Sequence, residues 1–314
     1  MNLFDTHIVV DWSARSTPSP ARGVADAIWW AVARAGDVAA PVYARTRHAA
    51  ITMLADLLAA ESAAGRRVLI GFDFPFGYPE GVAARLTGEA RAFALWDWLA
   101  ARVQDAPDNG NRRFAVAAEI NAAYDGLGPA WGRPAAWNYP GVPVSRRDRY
   151  GSDHPPERRR ADARAAGAKT VWQLAYAGAV GSQVLLGLPA LNRVRSDPRL
   201  VDRIAVWPLD GGLRVPDAQI VVAEVYPSLL RPQIRDRRVM GEVLDAAQVR
   251  VTALALARLD ATGGLARLFD GPGDLTERDR HIVGTEEAWI LGLGAEAALA
   301  AALDTNAEAL SHAS

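Results

Sequence analysis

Residues 67–73 read RVLIGFD, a nearly continuous apolar run stopped by Phe74-Pro75. A strand apolar on both faces belongs in the middle of a sheet covered on both sides. Working outward, residues 7–10 (HIVV) form a second, β-branched run that ends on Asp11. The loop at 13–23 is rich in proline and serine. Residues 27–33 and 38–44 then read as two strands joined by Arg34-Ala35-Gly36-Asp37, a turn of hairpin size. Helical spacing follows at 48–64, with Ile51, Leu54, Leu57 and Leu58 on one face. Sheet signals return at 204–208 and, more strongly, at 220–225. Two alanine- and leucine-rich helices are expected at 245–260 and 286–302. The fold class this predicts is α/β: a mixed sheet with flanking helices, built from residues 1–79 and 200–314. Residues 80–199 form a large, mostly helical insertion, and an insertion of that length is expected to work as a lid or substrate platform.

The composition narrows the chemistry. The chain has 314 residues, half of them hydrophobic, and a formal net charge of -1. It therefore has the material for a large core and does not coat nucleic acid through bulk charge. Of its 35 basic residues only Lys169 is a lysine. The absence of cysteine excludes disulfides, thiolate zinc sites and thiol nucleophiles. The opening MNLFDTHIVV lacks a basic n-region and a long apolar h-region, and the apolar runs are too short for a membrane span. A soluble, cytoplasmic protein without a membrane partner is expected.

Acidic residues occur where the apolar strands end, or inside one. Asp11 follows HIVV, Asp73 follows VLIGF, and Glu224 lies within IVVAEVYP. Carboxyl ends of strands in open α/β sheets face the ligand crevice. A buried, unpaired carboxylate costs on the order of several kcal/mol, so Glu224 requires a partner. Glu286 and Glu287 open the last expected helix behind a candidate cap, Thr285. Such a set suits Mg²⁺ or Mn²⁺, hard cations that prefer oxygen ligands. Two such ions about 4 Å apart can bind a phosphodiester between them. Each residue also has a purely structural reading. Asp11 and Asp73 can shape turns, Glu224 can pair with a buried arginine, and Glu286 or Glu287 can serve the helix end.

Asp11, the IGFDFP segment around Asp73, EVYPSLL around Glu224 and the terminal Glu287-Ala288 form an ordered pattern. It resembles the ribonuclease H-like family catalogued as domain of unknown function 429, whose members are predicted nucleases. The resemblance spans roughly residues 5–80 and 200–300. It implies a ribonuclease H-like fold and a divalent-metal-dependent nuclease or phosphoesterase acting on nucleic acid or a nucleotide. By this resemblance Asp11 bridges two ions, Asp73 binds one of them, and Glu224 and Glu287 complete the set, with Glu286 as the other candidate. The acid on the last helix of such nucleases is often Asp, and the loop after Asp11 is Trp12-Ser13-Ala14 rather than glycine-rich.

Residues 145–169 carry eight Arg/Lys against four Asp/Glu, and Trp131, Trp137 and Tyr139 precede them. Basic residues beside aromatics suit phosphate contacts and base stacking, which makes Arg146, Arg147 and Arg149 candidate substrate contacts. The same charges also suit a solvated helix. Ser13 is a further candidate for a phosphate oxygen. Two other classes stay open. One is an ATP-dependent phosphotransferase of the sugar kinase and actin type, with Gly211-Gly212 or Gly271-Pro272-Gly273-Asp274 as phosphate loops. The other is a non-catalytic binding protein.

Overall fold

The computed structural model describes residues 2–146 and 153–304. Its strands are β1 (Thr6–Asp11), β2 (Ile28–Arg34), β3 (Asp37–Val38), β4 (Val42–Ala44), β5 (Val68–Asp73), β6 (Ile204–Val206) and β7 (Ile220–Glu224). They form one mixed sheet in the order β3-β2-β1-β5-β7-β6, with β4 also pairing β2. β2 runs antiparallel to β1, whereas β5, β7 and β6 run parallel to it in succession. The strand expected at 38–44 is split into two short pieces. Pro41 lies between them, and its missing N–H cannot serve a ladder.

Ten helices accompany the sheet among the described residues: α1 (Arg47–Ala63), α2 (Val82–Thr87), α3 (Ala92–Arg102), α4 (Arg113–Ala122), α5 (Arg160–Arg164), α6 (Gly181–Arg195), α7 (Arg231–Arg237), α8 (Leu244–Ala261), α9 (Glu277–Ile282) and α10 (Glu296–Asp304). Alternation along the strands sorts the core into two layers. Ile8, Val10, Ile70, Phe72, Ile220 and Val222 pack with buried residues of α1, α3, α4 and α6. Val9, Leu69, Val221 and Ala223 pack on the other face with α8 and α10. The insertion at 80–199 thus supplies much of one covering layer, which is why β5 is apolar on both sides. None of the described helices is long and apolar enough to cross a membrane.

Helix α8 is fixed along β1 at one end. Asp260 accepts hydrogen bonds from the backbone N–H of Leu3 and Phe4, both at 2.8 Å, and lies 3.0 Å from His7 Nε2. This antiparallel placement brings the first turn of α8 to the end of β1 where Asp11 stands.

The helix expected at 286–302 starts ten residues later, at Glu296. Residues Val283–Glu287 instead form a π-type turn. After it Ala288 takes a left-handed φ of 59°, and Gly292 and Gly294 both take 87°. Two left-handed glycines in Gly292-Leu293-Gly294 end the helical path. Thr285 is not a cap, and its hydroxyl donates to the His281 carbonyl at 2.8 Å.

Candidate functional site

Asp11 and Asp73 are partners in the register of β1 and β5. Each continues the face that carries Val9 and Leu69, the face α8 covers. Asp245, in the first turn of α8, completes an acidic group there, and its Oδ2 accepts from the Asp26 N–H at 2.7 Å. Asp26 holds that N–H in place with a left-handed φ of 55°. Burial, followed by the like charges of Asp73, Asp245 and Asp26, pushes the Asp11 carboxyl well above the usual range. Burial, then Glu224 and Asp245, pushes Asp73 up to about 7. Burial also raises Asp245, against the opposing bond from the Asp26 backbone.

Glu224 is differently placed. It is registered against Phe72, one residue short of Asp73, so its side chain leaves the opposite face of the sheet. There the buried guanidinium of Arg159 grips it at both oxygens, Nη1 to Oε2 at 2.7 Å and Nη2 to Oε1 at 2.6 Å. The Phe76 N–H donates to Oε2 at 2.9 Å. Arg159 also binds Asp162, at 2.7 and 3.0 Å, and the Glu287 carbonyl at 2.8 Å. The buried-arginine reading of Glu224 therefore describes its surroundings. Burial raises its pKa while Arg159 opposes the rise.

Glu286 and Glu287 do not join the Asp11–Asp73 pair. Glu286 accepts from the Gly81 N–H at 2.9 Å. Glu287 accepts from Glu80 N at 3.0 Å, Arg160 N at 2.7 Å and Arg160 Nη1 at 2.9 Å. They clamp the loop before α2 to the start of α5. The physical reason is the π-type turn, which replaces the expected first helical turn and sends both carboxylates toward free backbone N–H groups.

The Ser13 hydroxyl donates to the Asp26 carbonyl at 2.7 Å and accepts from Arg15 N at 3.3 Å, so it shapes the loop it belongs to. Buried Arg47 holds the same loop through the carbonyls of Ser13 and Arg15, at 3.1 and 2.7 Å. Arg146 pairs with Glu157 at 2.9 Å. Arg147 and Arg149 lie outside the described residues. Tyr139 stacks on Phe114, and Trp137 meets the same ring edge-on.

A cleft of about 380 Å³ opens at this end of the sheet. Asp73, Glu224, Lys169, Gln183, Tyr226 and Arg231 are among the residues that line it. Gly211-Gly212 and the loop at 271–274 do not line it. The sequence reading did not single out Asp245, which stands near Asp11, or Arg231, which lines the cleft. In the sequence Asp245 reads only as an acid at the start of a helix, and Lys169 as the single lysine and one of the eight basic residues of 145–169. Among the described residues no three His, Asp or Glu side chains converge as a ready-made metal site. Comparison of the chain with protein-family models, with curated proteins and with solved structures finds no match.

Proposed function

We propose that the chain is a divalent-metal-dependent phosphoesterase of ribonuclease H-like fold, hydrolysing a phosphodiester bond of a nucleotide or nucleic acid. One observation carries this reading: two carboxylates in register at the carboxyl ends of adjacent parallel strands, opening through Asp73 onto a cleft with two cationic side chains. The fold assignment is supported by topology. An antiparallel β1–β2 lead is followed by helix α1 and then by β5 and β7 parallel to β1.

The donor chemistry fits Mg²⁺ or Mn²⁺. Such ions take one or two protein carboxylates and complete their shell with water and substrate phosphate. Asp11, Asp73 and Asp245 repel one another, and a cation relieves that repulsion. The ligand set is smaller than the four-carboxylate version, since Arg159 saturates Glu224 and backbone N–H groups hold Glu286 and Glu287. Asp245 takes the place of the last-helix acid. When bound, the cation supplies Lewis-acid stabilisation and an acidified water.

The chain's own groups do the rest. Asp11 and Asp73 hold the cationic side of the site, while Lys169 and Arg231 face the substrate phosphate. The oxygen of water forms a new bond to phosphorus, the P–O ester bond breaks, and the leaving oxygen takes up a proton. Calorimetric titration of Mn²⁺ into the wild type and into Asp11→Asn tests the reading. We expect binding that the variant loses, together with loss of hydrolysis. Absence of binding to the wild type, or full activity in Asp11→Asn, overturns it in favour of a non-catalytic protein.

A further inference from the structure

The chain holds 35 basic residues and one lysine, and that lysine lines the cleft onto which Asp73 opens. Most arginines near this end of the fold are already engaged by carboxylates. Arg159 binds Glu224 and Asp162, Arg160 binds Glu80, Asp279 and Glu287, and Arg164 binds Asp274. Lys169 and Arg231 differ: among the described residues neither makes an ion pair or a side-chain hydrogen bond, and both are exposed. Two unengaged cations lining the same cleft form an anion-binding arrangement.

Two glycines with left-handed φ make the room. A Cβ on Gly178 would stand 3.1 Å from Lys169 Cε, so the absent side chain gives the lysine stem its path along the wall. A Cβ on Gly167 would stand 3.7 Å from Tyr226 Oη and 4.0 Å from Arg231 Nη2. A hydroxyl and a guanidinium thus converge on the bare face of Gly167. An ammonium is a compact point charge with rotatable donors, whereas a guanidinium is a planar fork, and the two can bind one phosphate together.

The cleft volume, about 380 Å³, lies near the lower end of small-molecule pockets, which run from about 300 to 1,000 Å³. It admits a ligand of one nucleotide unit. A duplex instead needs a protein surface of about 600 Å² or more, lined with phosphate contacts. We propose that the cleft binds a small phosphate ester, with its phosphate held between Lys169 and Arg231 beside Tyr226, so that the substrate is of nucleotide size rather than a nucleic-acid duplex. The substrate class rests on the phosphoesterase reading above; the phosphate site does not need the metal.

The test is calorimetric binding of adenosine 5′-monophosphate, inorganic phosphate and a short DNA duplex, with a chelator present. We expect the monophosphate to bind the wild type. Lys169→Gln and Arg231→Gln should each weaken it about tenfold or more, and Lys169→Arg should restore part of the loss. Both side chains are exposed, so the melting temperatures of these variants should match that of the wild type. Equal binding in wild type and both Gln variants overturns the phosphate site, and so does absence of binding by either small probe. Duplex binding that is tighter than monophosphate binding and lost in the same variants overturns the size assignment. Because a chelator is present, failure of the Mn²⁺ titration leaves this result standing, and the reverse holds too.

Discussion

Asp73 and Glu224 end adjacent parallel strands, yet their side chains leave opposite faces of the sheet, because Glu224 is registered against Phe72. One residue of register separates an acid that faces Asp11 and the start of α8 from an acid locked to Arg159. The two carboxylates should therefore respond differently to the same chemical change.

Loss of charge at Glu224 should cost stability. Glu224→Gln removes half of a buried, bidentate pair, and breaking such pairs costs about 3–5 kcal/mol. Asp162 still engages Arg159, so a loss of about 2–4 kcal/mol is expected in urea denaturation. Asp11→Asn should leave stability unchanged or raise it, since it removes a repelling charge. Equal destabilisation by both substitutions would mean that Asp11 is also held by a cation of the protein.

The pH dependence follows from the sign of the Asp73 shift. Its carboxyl titrates at about 7 in the folded chain, against about 3.9 in an unfolded one. Between those values the folded state binds more protons, so this contribution is fully present below about pH 4 and is lost as pH rises through about 7. Asp11, Asp245 and Glu224, all raised, act in the same direction. At about pH 8 in chelator, Asp73→Asn should be more stable than the wild type by on the order of 1–3 kcal/mol. Thermal melts at several pH values check this, and parallel wild-type and variant curves would refute the upward shift that burial and the neighbouring carboxylates impose on Asp73.

Asp245 gives a test of the third acid. Asp245→Asn keeps an oxygen that can accept from the Asp26 N–H, so the fold should survive. Mn²⁺ binding should weaken by about tenfold, the low end for groups surrounding a metal site. An unchanged affinity would remove Asp245 from the cation's surroundings.

Gly77 tests the clamp made by Glu286 and Glu287. A Cβ there would overlap the Glu286 carbonyl oxygen and approach the Glu287 carbonyl group at 2.8 Å. Those atoms are backbone and cannot rotate away. Gly77→Ala should cost about 2 kcal/mol or more and speed hydrogen exchange at the Glu80 and Gly81 amides. Unaltered protection at both amides would show that the clamp tolerates the strain.

Much of this molecule is legible from local chemistry. The runs around residues 7–11 and 67–73 specify strands because β-branched and apolar side chains at every position suit a pleated surface covered on both sides. The helix at Leu244–Ala261 and that at Arg47–Ala63 lie within a residue of their expected bounds, since their apolar spacing extends over several turns. The helix expected at 286–302 begins only at Glu296, because left-handed Gly292 and Gly294 interrupt its first half. The adjacency of Asp11 and Asp73 follows from each ending a buried strand, which a sequence can express. The partners of Glu224, Glu286 and Glu287 depend on the register of β7 and on residues 65 to 207 positions away. The same holds for the presence of Lys169 and Arg231 in one cleft and for the approach of Asp245 to Asp11. Strand identity is a property of short segments, whereas which carboxylate finds a cation is decided by desolvation and by contacts between distant segments, and these exist only once the chain is packed.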